Sequence, residues 1–528
     1  MREIIEAFIE KATGNAGAKV VVPERPELGD YSTNAPFVWT KQLKMAPLDI
    51  AKSAAEKIRQ ADTEGLFTKV EAAPPGFLNF WVSPSAIAKE VERLVKAKKL
   101  AEPVSQPKKI NIEFISANPT GPMTMANGRG GFLGDVLANV LEAAGHKVTR
   151  EYYINDAGNQ IKTLGESILA ALGQLPAKEE HYQGDYVKKI AKELAKKIKP
   201  KASSEEIGRL AADILLTQIK QSAKNVGISF DVWFSEFKKL RGPKGLVLML
   251  LAMLEQKGLV ATHEGAKWLK SGDDGDEKDR VLVKSDGQPT YFLSDIAYHY
   301  DKLVLRKFDL AIDIWGADHH GYVARLKGGV KALQMNPERL QIIITQLVRL
   351  VENGKEVKMS KRAGEFITLD ELIQEVGKDS ARFFFLMHSP DTHMDFDMGL
   401  AKEKSNKNPV YYVQYAYVRC LSILEKAKAK STMKLQLTGL KSEAELGLMK
   451  ELIQLPDIIQ QTAEDYQVSR LTRYATDLAR ALHNFYEKER VIGVEPEMMK
   501  SRLSLVMAAK TILEKLFGVI GIAAPKKM

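Results

Sequence analysis

The sequence predicts an α/β protein in which a parallel-sheet domain follows a small α+β unit and precedes an all-helical C-terminal region. Over residues 109–154 a strand-like run, a turn with glycine, a helix and a second strand follow one another. Such a βαβ unit implies a parallel sheet. Residues 1–100 mix helical and strand-like patterns, and from about residue 370 one helical pattern follows another. At 528 residues the chain has room for several domains.

The composition is that of a globular protein with a basic surplus. No run approaches the roughly 18 uninterrupted apolar residues of a membrane span, and the opening "MREIIEAFIEKATG" has the spacing of an amphipathic helix rather than of a signal peptide. A lone cysteine, Cys420, excludes an internal disulfide and suits a reducing cytoplasm, where we expect the protein. The net charge of +10 favours a polyanionic partner, although a solvated lysine-rich surface explains the same charge.

The elements of the first hundred residues can be read in order. An opening helix leads to the strand-like "AKVVVP" (18–23) and a turn-rich stretch. A helix then covers "PLDIAKSAAEKIRQA" (47–61), and two strands flank a Pro-Pro-Gly turn in "LFTKVEAAPPGFLNFWV" (66–82). The charged, proline-bearing "KAKKLAEPVSQPKK" (96–109) is predicted to be a linker.

The middle of the chain carries the predicted sheet. The helix of the βαβ unit should run from about Asn127 to Ala144, and residues 156–257 read as mostly helical. A hairpin-like stretch and a helix follow over residues 280–303. The run "FDLAIDIWGADHHGY" (308–322) is an apolar strand with polar residues at its carboxyl end, where open α/β sheets bind ligands.

The stretch "NGKEVKMSKRAGEF", which we call the lysine segment (residues 353–366), is the first candidate for chemistry. Lys358 and Lys361 stand three apart between Gly354 and Gly364. Glycines permit a mobile loop, and cations on such a loop suit a polyphosphate whose charge redistributes during reaction. A basic surface loop explains a lone pair of lysines equally well, but the full Lys-Met-Ser-Lys tetrapeptide is more specific.

This tetrapeptide resembles the second signature of class I aminoacyl-tRNA synthetases, and further stretches resemble the arginyl-tRNA synthetase family in particular. The likeness extends from about residue 25 to the C-terminus. The stretches are "EFISANPTGP" (113–122), "REYYINDAGNQI" (150–161), "DRVLVKSDGQPTYFLSDIAYH" (279–299), "WGADHHGY" (315–322), "NPVYYVQYA" (408–416) and "APKKM" (524–528).

The resemblance implies a domain plan and an activity. We expect an N-terminal α+β domain that contacts the tRNA elbow (1–105), a Rossmann-type catalytic domain (106–375) with a helical insertion at about 160–255, and a helical anticodon-binding domain (376–528). The implied reaction is ATP-dependent attachment of L-arginine to tRNA(Arg) through an arginyl-adenylate, with release of AMP and pyrophosphate. Such catalysis requires positioning and stabilisation of phosphate charge, and no protein nucleophile. The family characteristically needs tRNA for ATP–pyrophosphate exchange.

A guanidinium has only donors and keeps its charge, so the substrate demands acidic partners. Tyr291 and Asp295 are four residues apart, which places both side chains on one helix face. By resemblance these two grip the guanidinium, Asn118 holds the backbone end of the amino acid, and Glu113 adds negative charge. Asp295 as a helix-surface acid and Glu113 as a structural ion-pair partner are the alternatives.

The first signature of the class, His-x-Gly-His, is altered here to Thr124-Met125-Ala126-Asn127. Thr and Asn side chains are also donors, and a helix start favours anions, so we expect an active site in altered form. The methyl group of Ala126 is predicted to crowd the adenine. The predicted catalytic residues are Thr124, Asn127, Lys358 and Lys361, and the predicted ATP-binding residues are Ala117, Pro119, Gly121, Ala126, Gly128, Gly316, Asp318, His319, Met359 and Ser360. Mg²⁺ is expected with ATP, and no structural metal is expected.

Contacts to tRNA are implied in both outer domains, because unpaired bases stack on aromatic side chains. The implied residues are Phe77, Asn79 and Phe80 in the N-terminal domain and Tyr411, Gln414, Tyr417, Arg419 and Met528 in the C-terminal domain. Core packing is the alternative for the tyrosines. We expect a monomer that does not associate with membranes.

Three other interpretations compete with this one. A class I synthetase for cysteine, methionine or leucine would have to explain Tyr291 and Asp295. A catalytically impaired tRNA-binding paralogue fits the altered first signature and the basic surface. A small-molecule adenylate-forming ligase of the same superfamily has no use for a large helical C-terminal region.

Overall fold

The computed structural model describes residues 1–242, 245–270, 280–352, 355–356, 367–430 and 433–528. Within these ranges no helix is both long and apolar enough to cross a membrane.

The N-terminal part is a small antiparallel sheet covered by helices. The sheet order is β1-β2-β4-β3, and helix α3 packs on β3. Val70, Leu78 and Phe80 point into the core, as expected from the two-residue period of strands. The predicted helix over residues 47–61 and both strands beside the Pro-Pro-Gly turn are confirmed. The elements are α1 (Arg2–Thr13), β1 (Val20–Val21), β2 (Tyr31–Thr33), α2 (Ala35–Leu43), α3 (Pro47–Ala61), β3 (Phe67–Ala73), β4 (Phe77–Val82) and α4 (Pro84–Lys96).

The central part contains the predicted parallel sheet. Its elements in chain order are β5 (Lys109–Glu113), α5 (Met125–Ala143), β6 (Lys147–Ile154), α6 (Asn159–Ala171), α7 (Asp185–Leu194), α8 (Ser204–Asn225), β7 (Val232–Ser235), α9 (Leu246–Gln256), β8 (Val260–His263), β9 (Ala266–Leu269), β10 (Arg280–Val283), α10 (Tyr291–Tyr300), β11 (Leu310–Gly316), α11 (Val323–Ala332) and β12 (Leu340–Thr345).

Five of these strands run parallel in the order β12-β11-β5-β6-β7. Helix α5 crosses between β5 and β6 and lies close to the sheet at its glycines. A Cβ at Gly134 would lie only 2.2 Å from the ring of Phe114, and one at Gly131 would lie 3.0 Å from Ile115. The helix therefore tolerates no larger side chain on that face, and its start is held at the carboxyl edge of the sheet.

The sequence analysis predicted no strand at β7 or at β12 of this sheet. Strand β7 lies in the region predicted as mostly helical, and it pairs in parallel with β6 at the sheet edge. Four residues are too few for a visible strand period, and long helices surround them. Helix α5 also begins earlier than predicted, because Thr124 precedes its first residue as the N-cap. A separate three-stranded antiparallel sheet, β8-β9-β10, leads into α10.

The C-terminal part is helical as predicted, with one exception. Strand β15 pairs in parallel with β13, so this part of the chain contributes to a second small sheet. The elements are β13 (Val348–Glu352), β14 (Lys355–Glu356), α12 (Leu369–Val376), α13 (Lys378–Leu386), β15 (Met394–Asp397), α14 (Met398–Lys402), α15 (Pro409–Lys426), α16 (Glu443–Leu452), α17 (Leu455–Asp465), α18 (Ser469–Lys488) and α19 (Pro496–Ile520).

Candidate active site

The loop that follows β5 at the carboxyl edge of the sheet has an unusual backbone. Ile115 and Ser116 adopt left-handed conformations, with φ of 67° and 40°, which are uncommon for residues other than glycine. The Ser116 hydroxyl donates to Glu113 Oε1 at 2.9 Å and accepts from the Tyr153 amide at 3.0 Å. Strand β5, its loop and strand β6 are thereby tied together where the sheet ends.

Tyr291 and Asp295 lie one turn apart on α10, as their spacing predicted. Tyr291 is exposed, and Asp295 is half-buried. The Tyr322 hydroxyl donates to Asp295 Oδ2 at 2.6 Å. Loss of hydration, together with the nearby carboxylates of Glu236 and Glu113, raises the pKa of Asp295 to about 6, although Tyr322 and His299 act to lower it. A carboxylate with a raised pKa favours a cationic ligand, because the cation stabilises its ionised form.

Several other carboxylates around this edge have cationic partners. Glu113 Oε2 accepts from Lys302 Nζ at 2.6 Å, and the same ammonium donates to Asp313 at 2.8 Å. Glu151 pairs with Arg306, and Glu236 pairs with the Arg241 Nε–H at 2.5 Å. These ion pairs compensate carboxylates whose burial would otherwise be costly.

Asp295 differs from this group. Within the described ranges it makes no ion pair, and its hydrogen-bond partner is a neutral tyrosine. Its charge is therefore not compensated by another side chain of the described residues. Glu113, in contrast, forms the ion pair that the sequence analysis left as an alternative, with a lysine, Lys302, that it shares with Asp313. Its predicted contact with arginine stays a prediction.

Tyr291 is the exposed first residue of α10. The Arg241 guanidinium lies 5.6 Å from the centre of its ring, and a Cβ at Gly158 would lie 3.6 Å from its hydroxyl. The tyrosine thus lies between the helical turn that follows β7 and the loop that follows β6.

The altered first signature forms the start of α5. Asn127 Oδ1 accepts from the Thr124 backbone N–H at 2.9 Å and from the Thr124 hydroxyl at 3.1 Å. Because that oxygen accepts two bonds, the amide nitrogen Nδ2 is left with both hydrogens to donate. It has no hydrogen-bond partner in the described part of the chain. A donor at a helix start suits a phosphate oxygen.

The remaining residues predicted to bind ATP surround this turn. Ala126 is exposed on the first turn of α5, and Asn118, predicted to hold the amino acid, is exposed on the loop before it. Gly128 is buried, and a Cβ there would lie 2.9 Å from Leu369, so close helix packing already requires this glycine. Ala117, Pro119 and Gly121 are buried in the loop, where the carbonyl of Ala117 accepts from the Tyr152 hydroxyl at 2.7 Å.

Gly316, Asp318 and His319 lie where the sequence placed them, at the carboxyl end of β11. All three are exposed, and a Cβ at Gly316 would lie 2.7 Å from Asp318 Oδ1. Within the described ranges no group of three or more His, Cys, Asp and Glu residues is arranged to hold a metal ion.

Lys358, Met359, Ser360 and Lys361 lie outside the described residues. The flank that follows them is described, and it pairs with the start of α5. The Met125 amide donates to the Ile367 carbonyl at 3.0 Å, and the Leu369 amide donates to the Met123 carbonyl at 2.9 Å. The polypeptide that carries the two lysines therefore returns to the altered signature.

The residues predicted to contact tRNA in the N-terminal domain divide by burial. Phe77 is exposed, but Phe80 is fully buried and Asn79 is buried with its Oδ1 accepting from Ser32 at 2.8 Å. The Phe80 side chain belongs to the core and leaves no surface for RNA. Asn79 is likewise engaged inside the protein, through its hydrogen bond with Ser32 on the neighbouring strand β2.

The C-terminal candidates divide in the same way. Tyr417 is buried and donates to Glu514 at 2.6 Å, which fits the core alternative. Gln414 donates to Asp379 and to the Ala523 carbonyl. Tyr411 stacks on Tyr415, with ring centres 6.4 Å apart. Arg419 lies 4.1 Å from the ring of Tyr486, and Met528 is 47% exposed. Tyr411, Arg419 and Met528 remain the available candidates.

Comparison with known families extends over almost all of the chain. Residues 1–82 match the family described as "Arginyl tRNA synthetase N terminal domain". Residues 90–387 match "tRNA synthetases class I (R), catalytic domain", and residues 413–528 match "DALR anticodon binding domain". The catalytic match alone covers more than half of the sequence. The chain belongs to the arginyl-tRNA synthetase family. The interpretations as a synthetase for cysteine, methionine or leucine and as a small-molecule ligase are therefore wrong.

Relatives in the family are similar over nearly their full length. The arginine–tRNA ligase of Desulfitobacterium hafniense (strain DSM 10664 / DCB-2) is 44% identical over 96% of this chain and 93% of its own. That of Carboxydothermus hydrogenoformans is 42% identical over 100% of this chain and 97% of its own. The crystal structure of Thermus thermophilus arginyl-tRNA synthetase shares the fold, with a TM-score of 0.81 at 21% identity over 100% of both chains.

Several residues of this site were missed by the sequence analysis. Lys302, Tyr322, Glu236 and Arg241 carried no local motif that announced an ion pair or hydrogen bond. Tyr322 ends the quoted stretch "WGADHHGY", and Lys302 lies on the turn after α10, so both were inside segments of interest. Their partners are distant in sequence, and only folding brings them together. The predicted limits of the domains at residues 105 and 375 stay predictions.

Proposed function

We propose that this chain attaches L-arginine to tRNA(Arg) with ATP, through an arginyl-adenylate, and releases AMP and pyrophosphate. The observation that carries the proposal is Asp295, a carboxylate of raised pKa without a cationic partner in the described ranges, one helical turn from Tyr291. Family membership and the names of the relatives support the same reaction. The likeness to arginine–tRNA ligases over nearly the whole chain does not favour the impaired-paralogue alternative.

Each step of the proposed reaction has a place in the site. The guanidinium lies against Asp295 and Tyr291, and Asn118 holds the backbone end of arginine. The arginine carboxylate then attacks the α-phosphorus of ATP in line, and pyrophosphate leaves. The amide of Asn127 and the helix start stabilise phosphate charge, and the Thr124 hydroxyl, which donates to Asn127 Oδ1, orients that amide. The arginyl group finally passes to the 3′ end of tRNA, and AMP is released.

The remaining nucleotide and tRNA contacts are proposals that rest on the resemblance. Lys358 and Lys361 hold the pyrophosphate, and Mg²⁺ arrives with ATP. Ala117, Pro119, Gly121, Ala126, Gly316, Asp318 and His319 surround the nucleotide. We further propose that the protein works as a monomer in the cytoplasm.

Arginine-dependent ATP–pyrophosphate exchange, measured with and without tRNA(Arg), tests the proposed function. We expect exchange with arginine and not with lysine, and only when tRNA is present. Exchange with a different amino acid, or none under any condition, would refute the proposal.

The pKa of Asp295 predicts how arginine binding depends on pH. Below about pH 6 the free protein holds this carboxyl protonated, so protons compete with the guanidinium. We expect the KM for arginine to be flat above about pH 7 and to rise roughly tenfold per unit as the pH falls below 6. The raised pKa of Asp295 also affects the stability of the free protein. As the pH rises from about 4 to about 6, this carboxyl ionises in the unfolded chain before it does in the folded protein, so stability falls, and bound arginine offsets the loss.

A pH series of arginine KM values measures this effect, with Asp295→Asn as the control that removes the titrating group. Glu113 and Glu236 also have raised pKa values. A rise in KM that persists unchanged in Asp295→Asn would assign the titration to them instead.

The substitution Ala126→Gly tests whether the altered signature crowds the nucleotide. If the alanine methyl group presses on the adenine, Ala126→Gly should lower the KM for ATP by about three- to tenfold, the equivalent of roughly 1 kcal/mol. Steady-state kinetics at saturating arginine gives the answer. Because glycine also weakens the helix by about 1 kcal/mol, a thermal melt should accompany the assay. An unchanged KM would show that the exposed methyl group is harmless.

A further inference from the structure

Arg129 is a buried cation that the proposed reaction does not use. It lies two residues after Asn127 in the first turns of α5 and is 3% exposed. Within the described ranges it forms no ion pair, and burial lowers its pKa. Burying an unpaired cation costs free energy unless its donors are satisfied, so its hydrogen bonds must explain its presence.

Four backbone carbonyls supply those bonds. Nη1 donates to the Gln346 carbonyl at 2.9 Å and to the Leu347 carbonyl at 3.3 Å. Nη2 donates to the Ser389 carbonyl at 2.8 Å and to the Thr392 carbonyl at 2.5 Å. A planar guanidinium is suited to such a set, since its donors diverge in a fixed fork. A lysine cannot reproduce that geometry.

The accepting segments are not arbitrary. Gln346 and Leu347 join β12 to β13, and β13 leads directly into the lysine segment. Residues 389–392 precede β15, which pairs with β13, and the Gln346 amide donates to the Pro390 carbonyl at 2.8 Å. Arg129 therefore connects the start of α5 to the residues that lead into β13, the strand on the N-terminal side of the lysine segment.

The residues on the C-terminal side of the lysine segment are connected to the start of α5 by main-chain hydrogen bonds between residues 123–125 and Ile367 and Leu369. The start of α5 thus contacts the chain on both sides of the lysine segment. On one side the connection is made by main-chain hydrogen bonds, which side-chain changes other than to proline leave in place. On the other side the hydrogen bonds come from one side chain, that of Arg129.

We propose that Arg129 is a positioning residue for adenylate formation: it sets the spacing between the phosphate-binding start of α5 and the strand that leads into the lysine segment. This proposal rests on the proposed function. A displacement of about 1 Å between reacting groups can cost on the order of 10²-fold in rate. Loosening this connection should therefore lower the rate of adenylate formation while leaving the arginine pocket on α10 intact.

The test compares Arg129→Lys with a matched variant, Arg382→Lys. Arg382 of α13 is also buried, and it donates to the carbonyls of Ile520 and Val226. It pairs with Asp135, which is on α5 like Arg129 but far from the start of that helix. For Arg129→Lys we expect kcat for exchange, per active site, to fall about 30- to 100-fold with the KM for arginine within about twofold. For Arg382→Lys we expect lower thermal stability but a kcat within about threefold of the unchanged protein.

A merely structural role for Arg129 predicts equal effects of the two variants, and that result would overturn the proposal. If Arg129→Lys does not fold, Pro390→Ala keeps the arginine and loosens the segment that accepts two of its bonds; it should lower kcat several-fold in the same direction. No change in Pro390→Ala would likewise count against it. Absence of exchange in the unchanged protein would instead refute the proposed function, so the two failures are distinguishable.

Discussion

Replacing Asp295 by asparagine is expected to lower kcat/KM for arginine by about 10²- to 10³-fold, which corresponds to roughly 3–4 kcal/mol of lost interaction with the guanidinium. The asparagine Oδ1 can still accept the hydrogen bond from Tyr322, so the change removes the charge and little else. Exchange kinetics over a range of arginine concentrations measures the loss, and the KM for ATP should change little.

Thermal stability separates this effect from unfolding. Because the pKa of Asp295 is raised, its ionisation opposes folding, and Asp295→Asn should melt at the same temperature or higher at pH 8. Tyr322→Phe, which keeps the charge, should cost no more than about tenfold. Asp185→Asn, at an exposed helix position outside the site, is the control. Undiminished activity of Asp295→Asn would sink both this prediction and the proposed pocket.

Asn127→Asp is expected to have the second large effect. Its oxygen can still accept both bonds from Thr124, but the amide donors are replaced by a negative charge, which repels the phosphates of ATP if they bind at this turn as proposed. Removing one preorganised donor typically costs about 10²- to 10³-fold in kcat, and repulsion adds to it. We expect at least that loss in kcat/KM for ATP, measured by exchange at saturating arginine.

The fold should survive this substitution, because an acidic residue in the first turn of a helix is favourable. An equal or higher melting temperature with lost activity would therefore assign the effect to the nucleotide. Thr124→Val removes the hydroxyl of the cap and keeps the backbone bond, and it should cost only several-fold. A variant Asn127→Asp that binds ATP normally would show that this turn is not a phosphate site.

Much of the fold was predictable because its signals are local. The period of two in β3 and β4 and the βαβ pattern around α5 depend on neighbouring residues, and both were confirmed. The strands that were not predicted include β7, β12 and β15, since runs of four to six residues give no clear period and tertiary pairing decides their conformation.

Burial was harder to foresee than secondary structure. Phe77 and Phe80 lie on the same strand, three residues apart, and therefore on opposite faces. Only the packing of the sheet shows that Phe77 reaches solvent while Phe80 does not. The burial of Tyr417 was equally hard to foresee. Its helix was predicted, but its partner Glu514 lies on α19, almost a hundred residues later in the chain.

The sequence by itself determined the family, the types of side chain that a cationic substrate and a polyphosphate require, and the spacing of Tyr291 and Asp295 on one helix face. Tertiary structure alone decided which of the two carboxylates Glu113 and Asp295 has a cationic partner. Glu113 pairs with Lys302 from 189 residues away, whereas among the described residues the Asp295 carboxylate accepts its hydrogen bond from the hydroxyl of Tyr322. Both outcomes follow from the physical range of the forces involved: helical spacing is set within a few bonds of the chain, whereas an ion pair depends on where distant segments meet in space.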